Sequence, residues 1–128
     1  EFRRVLFRSP SVGLQAFYPG VPSSSVLVGL ISPTFDIALP ASLTGSFCKA
    51  IVAATAQTDF DIRKNATTSA NGTSVGTIRF AAAGTVATFI FASEINFTGG
   101  TDWLSVYGPA TPDATLANIA FGLKARRT

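Results

Sequence analysis

Residues 59–82 read DFDIRKNATTSANGTSVGTIRFAA, and this stretch decides the class of fold. Phe60 and Ile62 alternate with charged residues, which is the period-two pattern of a half-buried strand. A second apolar run ends the stretch, and the polar segment between the runs contains Asn-Gly, a favoured turn former. The stretch therefore predicts an antiparallel hairpin with a long tip. The candidate exposed residues of that tip are Asn65, Thr67, Asn71 and Thr73.

Strand signals of this kind recur along the chain, separated by Gly, Pro, Asn or Ser. Helical periodicity is nowhere sustained, although residues 49–56 are Ala-rich enough to leave a short helix as an alternative. We expect an all-β fold, an antiparallel β-sandwich of jelly-roll type with about eight to nine strands. The predicted strands are 14–18, 26–31, 35–39, 47–55, 59–64, 74–82, 86–92, 103–107 and 118–124.

One predicted strand is apolar on both faces. Phe89, Ile90 and Phe91 follow one another directly, so both sides of this strand need cover from the second sheet or from another subunit. A thin sandwich has two inward faces, and large exposed apolar areas usually mark interaction sites. These three residues are therefore candidate interface residues, and we expect residues 10–128 to self-associate.

Three other aromatic residues are candidates for a ligand surface. Trp103 and Tyr107 fall on one face of a predicted strand, and together with Tyr18 they suggest a platform on which sugar rings stack. The alternative is that Trp103 and Tyr107 are core or interface aromatics. The sequence leaves both interpretations open.

The chain lacks the residues that most catalytic and metal sites need. It has no histidine and one cysteine, Cys48, so the commonest general base, an internal disulfide and a structural zinc site are missing. A glycosidase needs only two carboxylates, but Asp59 and Asp61 flank a strand as solvent-facing residues do. We predict no catalytic residues, no metal site and no cofactor. The other carboxylates beyond residue 9 occur singly beside turns: Asp36, Glu94, Asp102 and Asp113.

The length of 128 residues predicts a single domain. Residues 1–9, EFRRVLFRS, resemble the translation of a sequencing-adapter oligonucleotide, and we expect them to be a non-native segment. Residues 10–25 are a linker-like lead-in that includes the first strand, and residues 26–128 form the sandwich domain. The chain contains no Met, so we expect it to be a fragment or a processed product.

The charge distribution argues against two classes of partner. Residues 1–9 supply two of the three net positive charges, and the remainder is close to neutral. Without a basic stripe interleaved with aromatics, we expect no nucleic acid partner. The charge-free stretches are interrupted by Pro and Ser or are shorter than the roughly 20 residues of a spanning helix, so we expect no membrane insertion.

From Leu39 onward, short strand-and-turn motifs follow one another in a defined order. They are Leu39-Pro40-Ala41, TDFDIRKN at 58–65, GTIRFA at 76–81, GTDWL at 100–104 and Pro112-Asp113-Ala114. In order and spacing, this part of the chain resembles the C-terminal β domain of bacteriophage or prophage tail proteins, fibre-like or virion-associated. An enlarged tip at 66–74 and an inserted Thr101 depart from that pattern.

The resemblance implies a non-catalytic structural or host-surface-binding module located on the virion. It also implies a homo-oligomer, with a trimer favoured, and a host-surface glycan as an external partner. The alternative is a carbohydrate-binding module appended to a secreted bacterial enzyme. Such a module is extracellular and monomeric, and it binds its glycan through exposed aromatics.

Overall fold

A computed structural model describes residues 11–128, and the adapter-like residues 1–9 lie outside this described part. The described residues form ten β-strands and one short 3-10 turn at Ala41–Leu43, so the predicted all-β class is confirmed. The strands are β1 (Ser11–Tyr18), β2 (Leu27–Ile31), β3 (Ile37–Leu39), β4 (Phe47–Val52), β5 (Thr58–Lys64), β6 (Thr73–Phe80), β7 (Thr88–Ile90), β8 (Ile95–Phe97), β9 (Leu104–Tyr107) and β10 (Ala117–Arg127).

The strands form two five-stranded antiparallel sheets. Sheet A has the order β1, β10, β3, β8, and β4 also pairs with β10. Sheet B has the order β2, β9, β5, β6, β7. The long strand β10 organises sheet A, because one of its edges pairs with the whole of β1 while the other pairs with β4 and then with β3.

The pairing is nested from the chain ends inward, which is the topology of a jelly roll. β1 pairs with β10, β2 with β9, and β5 with β6. Residues 85–87 lie beside β4, where Ala50 N donates to Thr85 O at 2.8 Å and Ala87 N donates to Cys48 O at 3.0 Å. One long hairpin folded over into two sheets produces this nesting. The predicted jelly-roll-like sandwich is therefore confirmed.

The core lies between the inward faces of the two sheets. On β10, buried residues alternate with partly or fully exposed ones, as the period of two requires. The ring of Phe60 on β5 meets Phe121 on β10 edge-on, with centroids 5.5 Å apart, and meets Phe80 at 6.0 Å. Cys48 also belongs to the core, where it packs as a small hydrophobic residue, and desolvation raises the pKa of its thiol to about 11.

All nine predicted strands are present, and the differences lie at their ends. β1 begins at Ser11, three residues before the predicted start. β4 ends at Val52 because the following loop turns away to bind Asp113, and the alternative of a helix over 49–56 is wrong. The strand missed from the sequence is β8, whose three residues pair only with the equally short β3.

Candidate functional site

The outer faces of the two sheets differ in chemistry. The outer face of sheet B carries two ion pairs, Arg79 Nε to Asp59 Oδ1 at 2.8 Å and Arg63 Nε to Asp61 Oδ2 at 2.6 Å. Sheet B also exposes Leu27 and Leu30 on its edge strand β2, by 41% and 58%. The outer face of sheet A exposes large apolar side chains on both strands that flank β10 and on the segment beside β4. Four of them are Phe17, Phe47, Ile51 and Val86, with exposed fractions of 58%, 57%, 71% and 50%.

The strand register sets the shape of this apolar face. Phe17 of β1 lies opposite Ala120 of β10, and Phe47 of β4 lies opposite Gly122 of β10. Small residues on the middle strand between two phenylalanines on its neighbours leave a depression of about 500 Å³. A Cβ added at Gly122 would lie 2.9 Å from the carbonyl oxygen of Phe47, so only glycine keeps this floor open.

The depression continues along β10 as a groove. A second volume of about 400 Å³ shares Gln15, Phe47 and Gly122 with the first, and a third of about 260 Å³ shares Lys124 with the second. Over the six steps from Ala120 to Arg126, an extended strand covers roughly 20 Å. We call this depression the groove, and its principal residues are Gln15, Phe17, Phe47, Ala120, Gly122 and Lys124.

A second apolar region lies at the far side of the same face, where β4 ends. Two backbone contacts hold the segment 83–86 beside the end of β4. Ala83 N donates to Ala54 O at 2.8 Å, and Val86 forms an isolated antiparallel β-bridge with Lys49. All of its side chains are exposed, and Lys49 is the charged residue beside them. We call this region the apolar end. Ile51 and Val86 are its outward-facing residues. Val52 has the opposite parity at the end of β4, and the exposed Ala81, Ala82 and Ala83 belong to the turn that leads to Val86.

The three interface candidates from the sequence are divided by the structure. Phe91 is buried in the core and Phe89 is partly buried against it, so neither offers a free surface in the single chain. Ile90 points outward on β7 with 47% of its surface exposed. Its neighbour on β6 is Thr77, and the residues of the same parity on either side of Thr77 are the ion-paired Arg79 and the partly buried Val75.

The aromatic platform suggested by the sequence is not assembled. Tyr107 is only 6% exposed, and Tyr18 lies on the other sheet, packed against the core. Trp103 precedes β9, is partly buried, and donates its indole N–H to Ala66 O at 2.9 Å. Trp103 therefore anchors the β5–β6 tip, which agrees with the alternative that these residues are structural aromatics.

The tip between β5 and β6 is exposed at the four candidate residues, Asn65, Thr67, Asn71 and Thr73. Its two asparagine amides are nevertheless already engaged. Asn65 accepts from Trp103 N and donates to Asp102 Oδ1, both at 2.9 Å. Asn71 Oδ1 accepts from Thr67 N at 2.7 Å and from Thr68 N at 3.0 Å. These amides shape the loop, and the Thr67 hydroxyl is engaged as well, because it accepts from Asn71 Nδ2 at 2.6 Å.

Asp102 organises the β8–β9 loop. Its Oδ2 accepts from Thr98 N at 2.8 Å, and Lys64 Nζ lies 3.5 Å away. The hydrogen bond from Thr98 N, followed by that from Asn65, lowers the pKa of Asp102. Asp102 therefore satisfies loop donors.

Asp113 joins two loops at the opposite end of the sandwich. Its Oδ2 accepts from Thr55 Oγ1 at 2.6 Å, Thr55 N at 3.0 Å and Ala56 N at 2.9 Å. Its Oδ1 accepts from Thr115 N and Thr115 Oγ1 at 2.9 Å and from Leu116 N at 3.1 Å. These bonds hold the pKa of Asp113 far below its usual range, and the bond from the Thr55 hydroxyl contributes most to this lowering.

The carboxylates of the described chain are dispersed. Residues 11–128 contain no group of three or more His, Cys, Asp or Glu side chains that could hold a metal ion. We expect a chelator such as EDTA to leave the melting temperature unchanged. Differential scanning fluorimetry with EDTA and then with added calcium checks this, and a calcium-dependent rise in melting temperature would refute it.

The groove was not found from the sequence. The sequence signal for the groove is that Phe17 and Phe47 point outward, because Phe17 alternates with the inward Ala16 and Phe47 with the inward Cys48. The sequence alone does not specify the register of either strand.

Comparison with models of known families, with curated proteins and with solved structures gives no match. Within residues 11–128, no helix has the length and apolar content that crossing a bilayer requires.

Proposed function

We propose that this chain is a non-catalytic module of a phage tail or virion protein, with structural or host-surface-binding duties, which self-associates. The observation that carries the proposal is the exposed apolar outer face of sheet A on a jelly-roll sandwich. Contiguous apolar area of this kind is uncommon on soluble monomers and marks interaction sites. The phage assignment itself rests on the resemblance of residues 39–128 to tail-protein domains, and so does the trimer that we favour.

The apolar end is the part of this face best suited to contact a second copy. Ile51 is 71% exposed and Val86 is 50% exposed, and the turn of three alanines that leads to Val86 presents no polar side chain. A cyclic arrangement of copies buries such a patch against the neighbouring subunit. Lys49 at the margin remains able to reach solvent, because long lysine side chains cover apolar surface while keeping their charge hydrated.

The carboxylates support a role without catalysis. Asp59, Asp61 and Glu94 are each paired with an arginine. Asp102 and Asp113 are occupied by loop donors, and Asp36 accepts from Gly99 N at 2.9 Å. Each carboxylate of the described chain therefore has a structural partner. General acid catalysis by two carboxylates requires a pair across a cleft with separated pKa values.

Replacing Ile51 and Val86 together by serine is expected to weaken association without unfolding the chain, since both side chains project into solvent in the single subunit. Sedimentation velocity of the full chain measures the effect. The matched comparison is Ile90→Ser, the position that the sequence favoured. If Ile90→Ser dissociates the complex while the double variant does not, the apolar end is the wrong surface.

The alternative, a monomeric carbohydrate-binding module of a secreted bacterial enzyme, is favoured by one observation. The groove is long and open, and it is flanked by phenylalanine rings. A strictly monomeric chain that binds a glycan in this groove would support the alternative over the virion module.

A further inference from the structure

The groove differs from the apolar end in its polar residues. Its lining includes the side-chain amide of Gln15 and the cations Lys124 and Arg126. Among residues 11–128, no carboxylate lines any of its three sections. The groove therefore combines an apolar floor with donors and positive charge, and it offers no negative charge of its own.

The two cations of the groove are not equivalent. Arg126 is bound by Glu94, with NH2 2.9 Å from both carboxylate oxygens, so its charge is largely balanced. Lys124 has no carboxylate within ion-pair distance among residues 11–128. Its side chain extends past Gly45, where an added Cβ would lie 2.6 Å from Lys124 Cδ. Lys124 is thus the cation of the groove lining that has no carboxylate partner among residues 11–128, and Lys49, opposite Ala120 on β4 and equally without one there, lies at the margin.

The aromatic rings lie at the other end of the same depression. Phe17 and Phe47 flank the floor formed by Ala120 and Gly122, and each is more than half exposed. Apolar faces of sugar rings pack against such side chains, and small floor residues let a chain approach the sheet closely. Gln15, between the two ends, supplies a donor and an acceptor for hydroxyl groups.

We propose that the groove binds an anionic polysaccharide that carries carboxylate groups, such as a uronic-acid polymer of a host surface. The sugar rings lie over Ala120 and Gly122 between the two phenylalanines, and a carboxylate of the chain pairs with Lys124. Charge complementarity selects this ligand over a neutral glycan. The inference rests on the host-surface-binding part of the proposed function and does not depend on the apolar end.

Affinity electrophoresis of the full chain through gels containing polygalacturonate tests the inference, with fully methyl-esterified polygalacturonate as the neutral comparison. The wild-type chain is expected to be retarded by the acidic polymer, and less so as salt increases, because exposed charges are screened. The esterified polymer should retard it much less. Absence of retardation, or equal retardation by both polymers, overturns the proposal.

Two variants locate the site. Phe17→Ala and Lys124→Glu should each weaken binding by about tenfold or more, as expected when a central contact worth about 1.4 kcal/mol is lost. Arg127→Glu is the matched control for charge, because it changes the net charge equally while Arg127 stacks over Phe35, 4.2 Å from the ring centroid, outside the groove. If Arg127→Glu weakens binding of polygalacturonate as much as Lys124→Glu does, the attraction is nonspecific and the assignment of the site to the groove is wrong.

The Ile51→Ser and Val86→Ser double variant separates this inference from the association. It should keep the affinity of the groove for polygalacturonate while it loses self-association. If the wild-type chain associates but does not bind the polymer, only the proposal of a polysaccharide site in the groove is refuted. If the wild-type chain is monomeric but binds the polymer, only the proposed self-association is refuted.

Discussion

Phe60→Ala is expected to lower the free energy of unfolding by about 3–5 kcal/mol, the largest effect of any single substitution considered. Phe60 is completely buried on β5, and its ring makes edge-to-face contacts with Phe80 and with Phe121 of the opposite sheet. Truncation removes contacts that join the two sheets and leaves a cavity that the sandwich cannot readily close. Denaturant unfolding followed by tryptophan fluorescence measures the change.

The control for Phe60→Ala is the same substitution at Phe17. Phe17 is 58% exposed on the outer face of sheet A, so its loss should change stability by no more than about 0.5 kcal/mol. Since domains of this size are stable by only about 5–15 kcal/mol, Phe60→Ala should leave the fold marginal. A loss of less than about 1 kcal/mol at Phe60 would contradict the packing described between the sheets.

Asp113→Asn is expected to lower the melting temperature clearly, although Asp113 lies in a loop. The two carboxylate oxygens accept from two backbone segments, and an amide replaces one of these acceptors with an N–H₂ group facing N–H donors. The loop after β4 and the loop before β10 then lose their common partner. Thermal unfolding by circular dichroism measures the effect.

Asp113 also makes the stability of the fold depend on pH. Its pKa in the folded chain is lowered, first by the Thr55 hydroxyl and then by Thr115 N, relative to about 3.9 in the unfolded chain. The stabilisation by Asp113 is therefore fully present above about pH 4 and is lost as the pH falls below that value. Asp113→Asn should flatten this part of the profile of melting temperature against pH.

Asp59→Asn is the matched control for the acid profile. Asp59 is paired with Arg79 on the outer face of sheet B, and both side chains are well exposed to solvent. Exposed pairs contribute little to stability, so this variant should retain the acid dependence of the wild type. Identical profiles for Asp113→Asn and the wild type would show that the loop bonds of Asp113 do not stabilise the fold.

The fold was predictable because its information is local. Alternation at Phe60 and Ile62 on β5, and at Ile119 and Phe121 on β10, specifies strands without knowledge of their partners. β8 was missed because its three residues stand alone, whereas the equally short β3 and β7 lie within longer, mostly apolar runs at 35–39 and 86–92. Its position becomes clear only when Ile37 of β3 is found opposite Phe97.

The candidate site was not predictable because it depends on register and on distant pairings. Phe17 lies between Ala16 and Tyr18, so apolar residues occupy both parities of β1 and the outward one cannot be chosen from the sequence. The contacts of Asp113 with Thr55 span 58 positions. Phe91 was predicted to be an interface residue because it is apolar, but it is apolar because it fills the core.

Self-association is the central claim, and light scattering coupled to size exclusion of the full chain tests it most directly. The mass of one chain is 13.3 kDa. At micromolar concentrations we predict a single species with the mass of several chains, three being the favoured number. A dimer would change only that number. The mass of one chain at every concentration would contradict the claim that the apolar end of sheet A is covered by another copy.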